Sequence, residues 1–278
     1  MREILHTYQN GWFKVTVLSD GTKIWQWEGE REFPDSMDVK ITDYCDAWCA
    51  FCHEMSTEEW LHGDLSLFLE WIKKLPKGIE IAIWGGNPLS HPDIVPFLKE
   101  LKSSGYIPSI TVNSKHQHRI TKEIEENVYG IGVSYNGEIT YRNPNMVIHF
   151  IAGIHSPELI RKHLAEGFKC LILGYKLWGR GISNINNIIR IWNKIGVLKE
   201  CLSTLKGQLA FDSLAVTQLC PQDILSEEYW NLHYTGDDGT LSMYFDLVKW
   251  QYCKNSFAPK RYTFDGDISI SFNQIKND

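Results

Sequence analysis

Between Met37 and Lys176 short apolar runs take turns with stretches of helical period. Met37–Thr42, Ile79–Trp84, Ile107–Asn113, Tyr129–Ser134, Met146–Ala152 and Lys169–Lys176 read as six strands, largely apolar, as strands covered on both faces are. Leu65, Phe68, Leu69, Ile72 and Leu75 recur at helical spacing from an Asp64 N-cap to a stop at Pro76. Ser90 or His91 caps a second helix with Pro92 at its first position, Asp93 at its positive end and Gly105 closing it. His118–Asn127 and Ser156–Glu166 supply two more. Such alternation builds a parallel sheet with right-handed crossovers. The predicted fold is α/β, a partial (β/α)6 TIM-like barrel.

The two ends follow other patterns. Alternating runs on either side of Asp20-Gly21 predict a hairpin over Gly11–Gly29, so residues 1–36 form an N-terminal β-hairpin appendage. Trp12, Trp25 and Trp27 alternate there with polar residues and are assigned to the core. Ser183–Leu205 predicts a helix interrupted near Gly196, Gly207–Leu214 a further strand continuing through TQLC, and Tyr234–Asp246 a hairpin through Asp238-Gly239. Residues 37–215 are then the barrel core, and 216–278 a C-terminal α+β extension covering its mouth.

Composition narrows the partners. With 278 residues, 43% hydrophobic and 22% charged, the chain has an ordinary globular make-up. A net charge of −6 argues against a nucleic-acid backbone as partner, and the sequence has no run of 18 apolar residues to span a membrane. The opening MREILHTYQNGWFK has no apolar secretory core, and seven Cys, an odd number, predict a reducing cytoplasm. Eleven Trp are many for this length; packing accounts for them, and a substrate platform is the alternative.

The chemistry concentrates in Asp38–Ser56, where Cys45, Cys49 and Cys52 fall in a CxxxCxxC spacing just past the first strand. Three thiolates do not complete a tetrahedral zinc site. On a [4Fe-4S] cluster, normally held by four Cys, they leave one iron open to a cofactor. Barrel chemistry sits at strand C-termini, which gathers Cys45, Asn87, Asn113, Ser134, Asn136 and Lys176 at one mouth. Cys170 opens a strand and reads as a small buried hydrophobe. His149, inside strand five, is a satisfied core histidine or reaches substrate. His91 reads as a cap. His53 and Glu54 read as solvated loop residues, with a place near the cluster or substrate as the alternative.

With Phe51 before the third Cys, and with IAIWGGNP (Ile81–Pro88) about 30 residues later, the loop resembles the signature of the radical S-adenosylmethionine (radical SAM) superfamily. The resemblance covers roughly Met37–Ala215. CHExS, GGNPLxHP, LGYKxxGRG and GDDGxxxMYxD together resemble a phage-type group within it, whose likeness names no substrate. The resemblance implies a [4Fe-4S] cluster on Cys45, Cys49 and Cys52, and S-adenosyl-L-methionine chelated to its open iron. It also implies an electron donor such as flavodoxin or ferredoxin, and a 5′-deoxyadenosyl radical that takes hydrogen from substrate. Gly85, Gly86 and Asn87 would meet the methionyl ammonium; Asn87 stands where the family often has Glu and brings a carbonyl oxygen without charge. Ser134 or Asn136 would meet the ribose, the backbone of Gly174, Tyr175 and Lys176 the adenine, and Phe51 would pack on the adenine.

Lys176 and Arg180 would hold the cofactor carboxylate or an anionic substrate, or else only balance the acidic surface. The GDDG tail is faintly similar to auxiliary-cluster (SPASM or twitch) domains but has Met243 where those carry Cys, so one cluster is expected. A peptide substrate, with Cys220 or Cys253 returning a hydrogen atom, stays open beside a nucleotide or other small molecule and a glycyl-radical enzyme. The rival reading is a zinc module of three Cys plus His53.

Overall fold

The computed structural model describes residues 2–19, 21–59, 61–182 and 185–277 and places the strands in two sheets. The smaller is an antiparallel meander of β1 (Ile4–Asn10), β2 (Phe13–Leu18) and β3 (Lys23–Gln26). β2 and β3 are the expected hairpin; of its Asp20-Gly21 turn, Asp20 lies outside the described residues. β1 escapes the sequence pattern because its inward positions include Asn10, which is fully buried and donates to Phe33 O and Asp35 Oδ1. Trp12 and Trp27 correct the expectation of core packing, being 73% and 63% exposed. Trp27 lies past the end of β3 at φ 72°. Trp25 is half-buried, and its indole N–H donates to Asp35 Oδ2 at 2.9 Å. Asp35 also accepts from Tyr8 and Arg31, while Lys23 pairs with Glu80 at 2.9 Å, so the meander is fastened to the larger sheet by charge.

That larger sheet carries the predicted run of parallel strands: β4 (Ser36–Lys40), β5 (Glu80–Trp84), β6 (Ile107–Asn113), β7 (Gly130–Ser134), β8 (Met146–Ile151) and β9 (Lys169–Leu173). β10 (Leu209–Phe211) extends it beyond β9. On the other side β11 (Ser242–Asp246) lies parallel to β4 and is followed by antiparallel β12 (Gln251–Cys253) and β13 (Tyr262–Thr263). The order is β10-β9-β8-β7-β6-β5-β4-β11-β12-β13, an open sheet. Successive side chains point to opposite faces. Met37, Val39, Ile81, Ile83, Ile110, Val112, Ile131, Val133, Ile148 and Phe150 are buried on one face, and Cys170 joins them there as expected. Asp38, Lys40, Trp84, Asn113, Ser134 and His149 point to the other.

The helices are α1 (Leu65–Ile72), α2 (Ile94–Ser103), α3 (Lys122–Glu126), α4 (Pro157–Ala165), α5 (Ile185–Cys201), α6 (Ser213–Leu219), α7 (Glu227–His233) and α8 (Ile268–Lys276). Several boundaries correct the expectations. α2 starts later than predicted because Pro88–Ser90 first makes a 3-10 turn; His91 closes that turn and its Nδ1 accepts the Asp93 N–H. α3 is shorter than His118–Asn127 because Ser114–Arg119 is also 3-10.

The predicted start of α5 at Ser183 lies outside the described residues. The helix runs through Gly196 unbroken, held by buried Ile191, Ile195 and Leu198. The expected strand to Leu214 stops at Phe211, because Asp212 Oδ1 accepts the Ala215 N–H and starts α6. Asp238-Gly239 turns the chain into β11, whose partners are β4 and β12; it is not the tip of a hairpin. No helix among the described residues is long and apolar enough to cross a membrane.

Candidate active site

The cysteine loop leaves β4 and is folded back on itself. Thr42 bridges to His62 and Tyr44 to Thr57; the Cys45 N–H donates to Thr57 O and the Cys52 N–H to Cys49 O at 3.2 Å. All seven cysteines are free thiols. Cys45 is buried, and Cys49 and Cys52 are half-buried. Burial first, then the neighbouring thiols, push the Cys45 thiol up to about 11 and raise Cys49 as well.

Two other strand ends reach this loop. The Asn113 amide at the end of β6 donates to Cys49 Sγ at 3.4 Å, and the Asn136 amide beyond β7 does so at 3.3 Å. Arg180 braces it from behind: its Nε donates to Cys49 O, its Nη2 to Ser56 O, and its backbone N–H to Cys52 O. The guanidinium is thereby engaged in holding the loop.

The glycine turn after β5 packs backbone to backbone on the same loop. A Cβ on Gly85 would stand 2.6 Å from Thr42 O, and one on Gly86 2.1 Å from Tyr44 O, and Gly85 has φ 145°, a region where a side chain is strained. Gly86 and Asn87 donate their N–H groups to Thr42 O and Tyr44 O at 2.8 and 2.6 Å. Asn87 is 1% exposed; its Nδ2 donates to Asp46 Oδ1 at 3.2 Å, while its Oδ1 has no partner.

The remaining predicted positions divide. Ser134 is half-buried at the end of β7, one strand from Asn113 in register. Phe51 is half-buried against the core. The Gly174 N–H donates to Asp212 Oδ1 and the Tyr175 N–H to Gln218 Oε1, and the Tyr175 hydroxyl reaches Gly181 O. Lys176 places its Nζ on Ser256 Oγ at 2.7 Å and His53 Nε2 at 3.4 Å. Cys253 is buried, with its thiol on Asn255 O and pushed up to about 11 by burial. Cys220 is half-buried at a left-handed helix end.

His53 and Glu54 are not solvated, and the sequence did not reveal their partners. His53 stacks on Trp84 with centroids 5.6 Å apart, and burial together with Lys176 and Lys40 holds it well below the ordinary imidazole range. Glu54 binds Lys40 Nζ at 2.8 Å; Lys40, fully buried, also meets Asp43 at 2.5 Å and Asp246 at 3.2 Å. Burial would lower the Lys40 pKa, but Glu54 and Asp246 outweigh it and keep the ammonium charged. A lysine on an inward strand position was the available signal; Asp246, which meets it from β11, is distant in sequence.

No family model matches the chain. A stretch of 101 residues is 30% identical to GTP 3',8-cyclase of Clostridium perfringens, covering 34% of this chain and 31% of that protein. The chain thus matches about a third of the length of the curated relatives. Among solved structures, SuiB of Streptococcus suis bound to precursor peptide SuiA is 14% identical, with a TM-score of 0.58 over 87% of this chain and 65% of that one. AnSMEcpe with bound AdoMet and Cp18Cys peptide is 12% identical, with a TM-score of 0.51 over 84% and 77%. The chain shares the fold of these two structures.

The cysteine loop fits the group that its likeness to the radical SAM signature implies. Its donors are three thiols of one short loop, the soft ligands an iron–sulfur cluster takes, and beside them a buried amide oxygen is left without a donor. Three Cys plus His53 do not fit zinc, since His53 faces Trp84 and Lys176. Among the described residues no three His, Cys, Asp or Glu side chains converge on a single ion; in a cluster each sulfur binds a different iron.

Proposed function

We propose that this chain is a radical SAM enzyme in which Cys45, Cys49 and Cys52 hold one [4Fe-4S] cluster and the glycine turn receives AdoMet. The observation that carries it is the close packing of Gly85 and Gly86 on the cysteine loop, which sets the unpartnered Oδ1 of Asn87 beside the loop. When bound, the cluster and AdoMet supply one-electron cleavage to methionine and a carbon radical able to take hydrogen from a substrate. The protein's part is placement. Asn87 Oδ1 accepts from the methionyl ammonium, and the Asn113 and Asn136 amides donate toward the Cys49 sulfur and stabilise it as thiolate. Ser134 or Asn136 beyond β7 meets the ribose, and the backbone of Gly174, Tyr175 and Lys176 beyond β9, two strands away, meets the adenine. Arg180 keeps the loop closed.

A small protein such as flavodoxin or ferredoxin supplies the electron. A peptide substrate is supported by SuiB and anSMEcpe, both seen with peptides bound. Protein purified without air should be brown with about four irons per chain, and dithionite with AdoMet should release 5′-deoxyadenosine. The Cys49→Ala variant should lose both while keeping its fold. Colourless, zinc-containing protein, or cleavage that persists in the variant, overturns the assignment.

A further inference from the structure

On the inner face of the large sheet an in-register row runs Tyr244, Asp38, Ala82, Ser109 and Gly130 across five adjacent strands. Alternation puts it opposite the buried Met37, Val39 and Ile81. Beyond Asp38 the row is small-sided, so it forms a trough. The next row toward the strand C-termini holds Trp84, Thr111 and Gly132, with the His149 ring lying against Gly132. Burial pushes His149 down to about 4, so that ring is neutral.

Asp38 is solvent-exposed although it sits on an interior strand of a ten-stranded sheet. The trough is therefore open above it. No hydrogen bond or ion pair engages its carboxylate among the described residues, whereas every charge nearby is engaged. Glu80 is paired with Lys23, Asp212 takes the Gly174 and Ala215 N–H groups, and Asp238 accepts from Asn255. Lys176 is spent on Ser256 and His53.

The neighbouring Tyr244 hydroxyl is fully buried and makes no hydrogen bond of ordinary geometry, although Arg261 lies 5.2 Å from its ring centre. Although solvent reaches the carboxylate, the protein surrounding the trough desolvates it; this, opposed by Lys176 and reinforced by Glu80, Asp238 and Asp212, raises Asp38 to about 6. These four carboxylates against Lys176 and Lys23 leave the site short of positive charge, and a cation arriving there favours the ionised carboxylate.

We propose that this trough is the substrate pocket and that Asp38 pairs there with a cationic nitrogen of the substrate, a primary ammonium or a guanidinium. The small residues Ala82, Ser109 and Gly130 leave room for the stem that carries the nitrogen, and Trp84 supplies an apolar wall above it. The inference rests on the radical SAM reading only for the chemistry after binding.

The test is saturation-transfer NMR on the full chain without added AdoMet. The probes are N-acetyl-lysine amide, N-acetyl-arginine amide and butylammonium, set against N-acetyl-norleucine amide and N-acetyl-glutamate. At least one cationic probe should bind and the neutral and anionic ones should not; whether an amino-acid amide or the bare amine binds tighter distinguishes a peptide side chain from a small amine. Asp38→Asn should weaken binding by about tenfold or more, as loss of a charged partner does, and Asp38→Glu should restore part of it.

Equal binding of the norleucine and lysine amides overturns the proposal even if no variant folds, as does binding undiminished in Asp38→Asn. Failure of the radical chemistry would appear separately, as absent 5′-deoxyadenosine with cation binding intact.

Discussion

Asn87→Ala separates cofactor recognition from folding. In the free protein the side chain is 1% exposed, its Nδ2 is satisfied by Asp46 at 3.2 Å and its Oδ1 by nothing. An unmet buried carbonyl costs roughly 1–3 kcal/mol, and the folded chain carries that cost until a donor arrives. Truncation removes the Asp46 bond, worth about 0.5–1.5 kcal/mol, and the orphaned acceptor with it, so the two nearly cancel in folding. Binding has no such cancellation. The methionyl ammonium loses its acceptor, and AdoMet affinity should fall by about 1–2 kcal/mol, roughly 5- to 30-fold in Kd. Anaerobic equilibrium dialysis of labelled AdoMet measures the affinity, and iron content and thermal melts without AdoMet serve as controls. An unchanged Kd in a folded, iron-loaded variant would refute the role given to Asn87; a large loss of stability would make it a structural residue.

Two further outcomes concern buried charge. Lys40→Met leaves Glu54 and Asp246, both 8% exposed or less, with only the more distant Arg261, 4.0 Å from Asp246, to balance them. It should cost about 3–5 kcal/mol in denaturant unfolding; a loss under about 1 kcal/mol, the worth of a surface pair, would show the network to be incidental. Asp38 has a folded pKa of about 6 against an ordinary value of 3.8, so above pH 6 the folded state holds a charge that the unfolded chain carries more easily. Asp38→Asn should therefore raise the melting temperature at pH 7.5, with the gain fading as pH falls through 6 and vanishing below the unfolded pKa. A gain that grows on acidification would contradict the sign.

The six parallel strands were legible because each of β4 to β9 carries apolar side chains at the alternate positions that face the core, as Met37 and Val39 do even in β4. β11 was not, because its side chains Met243 and Phe245 read as an ordinary half-buried strand and nothing local says that β4 is its partner. α6 was legible in principle: Asp212 followed by Ala215 and Leu219 is a cap with apolar residues on one helical face, overridden by the apolar look of Leu209–Phe211.

At the candidate site, Cys45, Cys49, Cys52 and the glycine turn are short-range patterns and stood out in the sequence. Asn113 and Asn136 came from the rule that strand C-termini gather at one mouth, and the structure brings both to Cys49. His53 and Glu54 were misjudged because a charged loop residue betrays nothing of a distant partner.

Lys40 shows why the late strand belongs with the early loop. Its ammonium receives Asp43 and Glu54 from the cysteine loop and Asp246 from β11. One buried cation thus balances carboxylates from segments that no local pattern joins. Hydrophobic residues of like volume could hold the same segments as firmly, so stability alone does not explain a charge there. Direction does: an ammonium with three carboxylate partners fixes the angle at which the loop leaves β4, and the Glu54 it holds lies just beyond Cys52. Arg180 fixes the opposite side, its guanidinium donating to Cys49 O and Ser56 O and its backbone N–H to Cys52 O. Held from both sides, the loop that carries Cys45, Cys49 and Cys52 keeps a set course, and preorganisation of that kind would reduce the ordering cost of binding the proposed cluster.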